Sequence, residues 1–235
     1  MPDYAVQLLG GFELRSEGRV VRTTPAAQRL LAFVATRMRK TSRTAVAQAL
    51  WPDAPEARAA ANLRSTLWRL RGGHATGPIS STAYGLELGP GTSVDVHALH
   101  ATAEGLSRGT EVIVLDPGVL SEDVLPEWGE EWLLATREWF RQVRLHALEA
   151  LCVRHCREGR FGEGLEAGLA AVACEPLRES AHRVVVQAHV AEGNTAEAVR
   201  QYRLYRRLLR EELGLTPSAR FSEMIAGLGV ADTAR

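Results

Sequence analysis

One stretch of this chain leaves little freedom in how it folds. Between Asp53 and Arg71, Ala60, Leu63, Leu67 and Leu70 recur at helical spacing on one side, while Arg58, Ala61, Ser65 and Arg69 fall on the other. Trp68 lies beside the polar face, Asn62 and Thr66 on one flank, Arg64 and Arg71 on the opposite flank, and no acid follows Glu56. Such a helix needs an apolar floor under its leucines, and either solvent or an anionic partner over its arginines.

The flanking sequence supplies the floor. Residues 4–14 alternate apolar and other side chains around Gly10-Gly11, a turn follows at Arg15-Ser-Glu-Gly18, and Arg19-Val-Val-Arg22 reads as a return strand, together a small antiparallel sheet. Thr24 and Pro25 are an N-cap and a first-turn proline for a helix whose Ala27, Leu30, Leu31, Val34, Ala35 and Met38 share one face. A shorter helix runs from Thr44 to Trp51 and ends at Pro52. The basic helix is expected to start at Asp53, with Glu56 in a capping-box arrangement and Pro55 in the first turn, and to stop at Gly72-Gly73. Ile79 to Leu88 reads as a hairpin and Gly89-Pro-Gly91 as a hinge. Beyond Asp95 the periodicity is helical throughout. Glu158-Gly-Arg-Phe161 and Glu192-Gly-Asn-Thr195 lie 34 residues apart, the tetratricopeptide period, with 217–228 as a cap. The expected fold is mainly α with a small antiparallel β component: a winged helix-turn-helix over 1–92, then a tetratricopeptide-like all-α domain over 95–235.

Charge divides the same way. The whole chain is neutral, with 28 basic and 28 acidic residues. Its first hundred residues hold twelve basic and seven acidic ones, so a basic front precedes an acidic back and different partners are expected for each. No apolar run approaches the roughly 18–20 residues of a membrane helix. The N-terminus has no basic region before an apolar core, so it is not read as a signal peptide. Cys152, Cys156 and Cys174 are an odd set in a helical stretch, read as reduced thiols of a cytoplasmic protein.

An apolar back with an Arg/Ser/Asn/Thr front suits the DNA major groove, where arginine bridges guanine O6 and N7, asparagine suits adenine and flanking arginines neutralise phosphates. A solvated helix face is the other reading of the same pattern. The order of sheet, three helices and hairpin favours the first, because a winged helix sets its third helix in the groove.

The motifs Leu50-Trp-Pro-Asp53, Ala59-Ala-Ala-Asn-Leu-Arg-Ser-Thr-Leu-Trp-Arg-Leu-Arg71 and Tyr84-Gly-Leu86 resemble the OmpR-type winged helix of the Streptomyces antibiotic regulatory protein family. The later motifs resemble that family's bacterial transcriptional activator domain: Val94-Asp-Val96, Glu127-Trp128, Trp132, Leu145-His-Ala-Leu-Glu-Ala150, Pro176-Leu-Arg-Glu-Ser180, Tyr202 and Glu211-Glu-Leu-Gly-Leu215 with Thr216-Pro-Ser218. The resemblance implies an activator, a pathway-specific regulator of secondary metabolism such as antibiotic biosynthesis. Its implied partners are double-stranded DNA bearing tandem direct repeats, RNA polymerase holoenzyme including the sigma subunit, and further copies of itself on DNA. It gives Arg69 the base-reading role and puts Thr66 and Arg71 at phosphate-contact positions. Arg58, Asn62, Arg64 and Ser65 are on or beside the reading face. In the wing, Ser81 and Thr82 follow Ser80 where relatives often carry an arginine for the minor groove. Trp68 stands where a polar residue is common, which suggests packing against the second half instead. Larger relatives append a nucleotide-binding module; no G-x-x-x-x-G-K-[ST] loop occurs here, so the small form is expected, without a cofactor.

Other constellations read more plainly. Cys152, His155 and Cys156 share a helical neighbourhood with ligand-like spacing, but fall on an apolar stripe and lack a fourth ligand, so core packing is expected rather than a metal. Glu122, Asp123, Glu127, Glu130 and Glu131 read as a loop and helix start rather than paired catalytic carboxylates, and no enzyme is expected. Trp128, Trp132 and Trp139 are either anchors of the repeat array or a partner surface, and Arg200, Arg203, Arg206, Arg207 and Arg210 either a solvated face or a contact for DNA or polymerase. An interaction adaptor whose winged helix reads no DNA is the competing function.

Overall fold

The computed structural model describes residues 4–71, 77–108, 120 and 122–229. The chain forms two compact units, Met1–His100 with Glu122–Phe140, and Ala101–Ser121 with Arg141–Arg235. The first unit thus takes in a segment from within 95–235.

In the first unit, β1 (Tyr4–Gln7), β2 (Glu13–Ser16) and β3 (Arg19–Val20) form the antiparallel meander implied by the alternation. Helix α1 (Pro25–Thr36) starts where Thr24 accepts from the Ala27 N–H, 3.4 Å, and buries Leu30, Leu31 and Phe33. Helix α2 (Arg43–Leu50) is capped by Ser42, which accepts from Ala45 N–H at 3.2 Å. Helix α3 (Glu56–Arg71) starts later than Asp53: its first turn is taken up by the Pro55 carbonyl, 2.9 Å from the Ala59 nitrogen. A proline there restrains Ala54 from helical backbone, and the Asp53–Glu56 capping box does not form. The Gly72-Gly73 stop lies outside the described residues. Strands β4 (Ile79–Thr82) and β5 (Gly85–Leu88) make the expected antiparallel hairpin. Gly89-Pro-Gly91, expected as a hinge, instead leads directly into β6 (Thr92–Val94), which joins the sheet parallel to β1 with Val6 opposite Val94. A sheet, three helices and a β-hairpin wing make a winged helix-turn-helix.

Asp95 starts helix α4 (Asp95–Arg108) and fixes the end of β1. Its carboxylate accepts from the N–H groups of Leu8 (2.8 Å), Leu9 (2.9 Å) and Val96 (2.7 Å). Burial pushes this carboxyl above its ordinary range, against those three donors, which favour its ionised form. The same β1 end holds Glu122–Phe140: the Leu8 carbonyl accepts from Leu125 N–H at 2.8 Å, and Gly10 N–H donates to the Asp123 carbonyl at 2.9 Å. Trp128 stacks on Phe12 at 6.0 Å, Trp132 meets Phe33 edge-on at 5.1 Å and Trp139 lies 5.1 Å from His100. These tryptophans anchor the first unit and not a repeat array. Glu130 pairs with Arg29 at 2.6 Å and accepts from the Trp132 indole N–H, so the acidic segment works as a clasp.

The second unit holds the end of α5 (Leu133–Arg157), then α6 (Phe161–Cys174), α7 (Glu179–Glu192), α8 (Thr195–Leu213) and α9 (Ala219–Ala226). The 34-residue repeat lands on the α5–α6 and α7–α8 turns, where Gly159 and Gly193 are both left-handed. The final helix inserts Phe221 and Ile225 among Tyr202, Tyr205 and Leu209, as expected for a cap. Helix α6 approaches its neighbours closely because Gly168 has no side chain. A Cβ there would lie 2.8 Å from Val185 Cγ2 and 3.1 Å from Cys152 Sγ. His182, fully buried, donates from Nε2 to the Pro176 carbonyl (2.9 Å) and accepts at Nδ1 from Gln201 (3.0 Å), beside the Tyr205 ring. Burial holds its pKa below the ordinary value.

Two outcomes follow for stability. Gly168→Val overpacks α6 and lowers stability by about 1–3 kcal/mol in urea unfolding, whereas Gly162→Ala, in open space on the same helix, raises it by about 0.5–1 kcal/mol. Because the folded pKa of His182 lies below the unfolded one, its contribution is present above about pH 6.5 and is lost as pH falls through the folded value. The melting temperature therefore drops between pH 7.5 and 5, and His182→Gln flattens that slope.

Candidate nucleic-acid interface

Helix α3 is held by Ala59, Leu63, Thr66 and Leu67, all buried. This stripe is rotated from the leucine-centred one by about 35° toward the Thr66 flank, at roughly 100° per residue. Leu70 and Ala60 are only half-buried in consequence. Arg58, Arg64, Ser65, Arg69 and Arg71 are exposed and Asn62 is half-buried. Thr66 departs from its expected phosphate-contact position: it is 6% exposed, and its hydroxyl donates to the Asn62 carbonyl at 2.8 Å. Trp68 is 77% exposed. It is not among the side chains that hold α3 in its own unit.

The charge on this face is uncompensated. Among the described residues, Arg58, Arg64, Arg69 and Arg71 make no ion pair, while Arg15, Arg29 and Lys40 of the same unit each meet a carboxylate. Arg22, from the loop before α1, shares with Arg69 and Arg71 the lining of a cavity of about 300 Å³, together with Thr23 and Thr24. Sequence reading passed over Arg22 because only the tertiary fold brings it to the end of α3.

The wing is tied down rather than free. Ser81 accepts from Arg43 of α2 at 2.6 Å, and Thr82 donates to the Gly85 carbonyl and accepts from Tyr84 N–H, both at 3.3 Å. Thr41 and Leu86 exchange two backbone hydrogen bonds, and Lys40 pairs with Glu87 at 3.0 Å. The hydroxyls of Ser81 and Thr82 thus orient the hairpin, and its tip presents Tyr84, 87% exposed.

The thiol flagged by its ligand-like spacing is packed into the core. Cys152 is buried, its thiol 3.6 Å from the Val184 carbonyl, and burial with Cys156 beside it pushes its pKa up to about 12. A thiol so far from its reactive form is inert packing material. No group of three or more His, Cys, Asp or Glu side chains that could hold a metal occurs among the described residues. Within those residues no helix is long and apolar enough to cross a membrane. On α8, Arg200 pairs with Glu197 at 3.3 Å, while Arg207 and Arg210 are exposed.

Comparison with known proteins agrees with the architecture. Residues 110–228, half of the chain, match the bacterial transcriptional activator domain. The regulatory protein AfsR of Streptomyces coelicolor is 27% identical over 97% of this chain, which spans 24% of that relative's length. The structure of EmbR from Mycobacterium tuberculosis, solved with a low affinity phosphopeptide, superposes with a TM-score of 0.65 at 20% identity, covering 95% of this chain and 64% of that one, and shares the fold. With an activator domain matched behind a winged helix, the chain belongs to the Streptomyces antibiotic regulatory protein family of transcriptional regulators.

Proposed function

We propose that this chain is a cytoplasmic, sequence-specific DNA-binding activator that sets α3 into the major groove of tandem direct repeats near a promoter. One observation carries the DNA reading: four exposed guanidinium groups on one helix, without an ion pair among the described residues, on a face with no acid after Glu56. Leaving such charge uncompensated costs little in water and gains greatly against phosphate, where bound counterions are released. In this reading Arg69 contacts a base, Arg71 and Arg58 engage phosphates, and Asn62, Arg64 and Ser65 complete the face. Arg43, Ser81 and Thr82 hold the wing in place.

Family membership supports the activating half. The helical unit, with its tetratricopeptide-like helix pairs, recruits RNA polymerase holoenzyme through contacts that include the sigma subunit, and brings copies together on adjacent repeats. Its targets are genes of a secondary-metabolite or antibiotic pathway. An interaction adaptor is the second reading, favoured by a wing without a free cation and by exposed Trp68.

Selection from fragmented source genomic DNA with the full-length chain, at near-physiological salt, separates the two. The activator enriches a few upstream regions sharing a spaced direct repeat; the adaptor recovers DNA weakly, uniformly and only at low salt. On a selected site, Arg69→Ala loses about 1–3 kcal/mol and relaxes preference at one base position, while Arg71→Ala weakens all sequences alike and reduces the salt slope by about one. Unchanged binding by Arg69→Ala to cognate and random duplexes would place the reading face elsewhere.

A further inference from the structure

The observed burial of α3 changes which side chain stands at the centre of its outward face. The buried stripe runs through Ala59, Leu63, Thr66 and Leu67. At roughly 100° per residue, Trp68 lies within about 25° of the direction opposite that stripe, with Arg64 about 65° to one side and Arg69 about 75° to the other. Ser65 and Ala61 share the centre. An indole there is 77% exposed, has no ring partner among the described residues and adds nothing to the core. The small side chains of Ala57, Ala61 and Ser65, all exposed, leave the approach to it open.

We infer that Trp68 is a specificity-determining residue that reads the 5-methyl group of a thymine in the major groove. The inference rests on the DNA-binding reading above. A face centred on an indole and rimmed by unpaired arginines matches a groove whose walls are phosphate and whose floor carries one apolar marker. That marker is the thymine methyl, since the other major-groove edges offer hydrogen-bond donors and acceptors. The indole supplies apolar area with a single N–H, so it favours methyl contact over base-edge hydrogen bonding. Arginines on either side fix the helix by phosphate and guanine contacts, which determine the step at which the indole meets a base.

Replacing thymine by uracil deletes the methyl and nothing else. Using the duplex selected by the full-length chain, each thymine is replaced singly by uracil, and Kd is measured for wild type, Trp68→Ala and Trp68→Phe. For wild type, replacement at one position per half-site weakens binding by about fourfold, the worth of one buried methyl. For Trp68→Ala the same replacement changes nothing, and Trp68→Phe falls between. The thermal melt of Trp68→Ala stays at the wild-type value, as expected for an exposed side chain. If no replacement affects wild type, or if each one costs Trp68→Ala as much as wild type, the methyl-reading role is overturned while DNA binding stands. If wild type selects no sequence at all, the DNA-binding reading falls and this one with it.

Discussion

The carboxylate of Asp95 is the point on which the first unit turns. It gathers the N–H groups of Leu8 and Leu9, where β1 ends, and that of Val96, where α4 begins. An amide left unpaired in such a place costs about 1–3 kcal/mol, so one side chain meets needs arising at two distant parts of the chain. With β1 fixed, β6 can run parallel beside it, and the Leu8 carbonyl and Gly10 amide remain available to the backbone of Leu125 and Asp123. The sheet and the returning segment therefore share one origin.

That returning segment was the part least legible in the sequence. Its acids and tryptophans stood out, but nothing local ties Trp132 to Phe33 or Glu130 to Arg29, which are about a hundred positions apart in the chain. The local rules served well where geometry is local: Thr24 with Pro25, the hairpin at 79–88, and the glycines at 159 and 193. They failed at Asp53, whose capping box Pro55 pre-empted, and at Gly89-Pro-Gly91, where a turn fed a strand that needed β1 as its partner.

The candidate site was legible to a similar degree. Helical periodicity put Arg58, Arg64, Ser65, Arg69 and Arg71 on a common surface, and all are exposed. It could not tell that Thr66 would turn inward. A threonine hydroxyl satisfied by the carbonyl four residues back is cheap to bury, and α3 rolls accordingly. That roll of a few tens of degrees brings Trp68 from the edge to the centre. Ser81, Arg43 and Lys40 were similarly invisible as a group, because only the fold sets the wing against the start of α2.

The discontinuity of the first unit has a consequence for how the protein is made. A unit built from Met1–His100 and Glu122–Phe140 cannot close until its second piece has left the ribosome. Until then Phe12 and Phe33 lack their tryptophans and Arg29 lacks its carboxylate. A nascent or prematurely terminated chain ending before residue 122 therefore exposes apolar rings that chaperones and proteases recognise. Closure of the winged-helix unit thus waits on the segment that follows it in the chain.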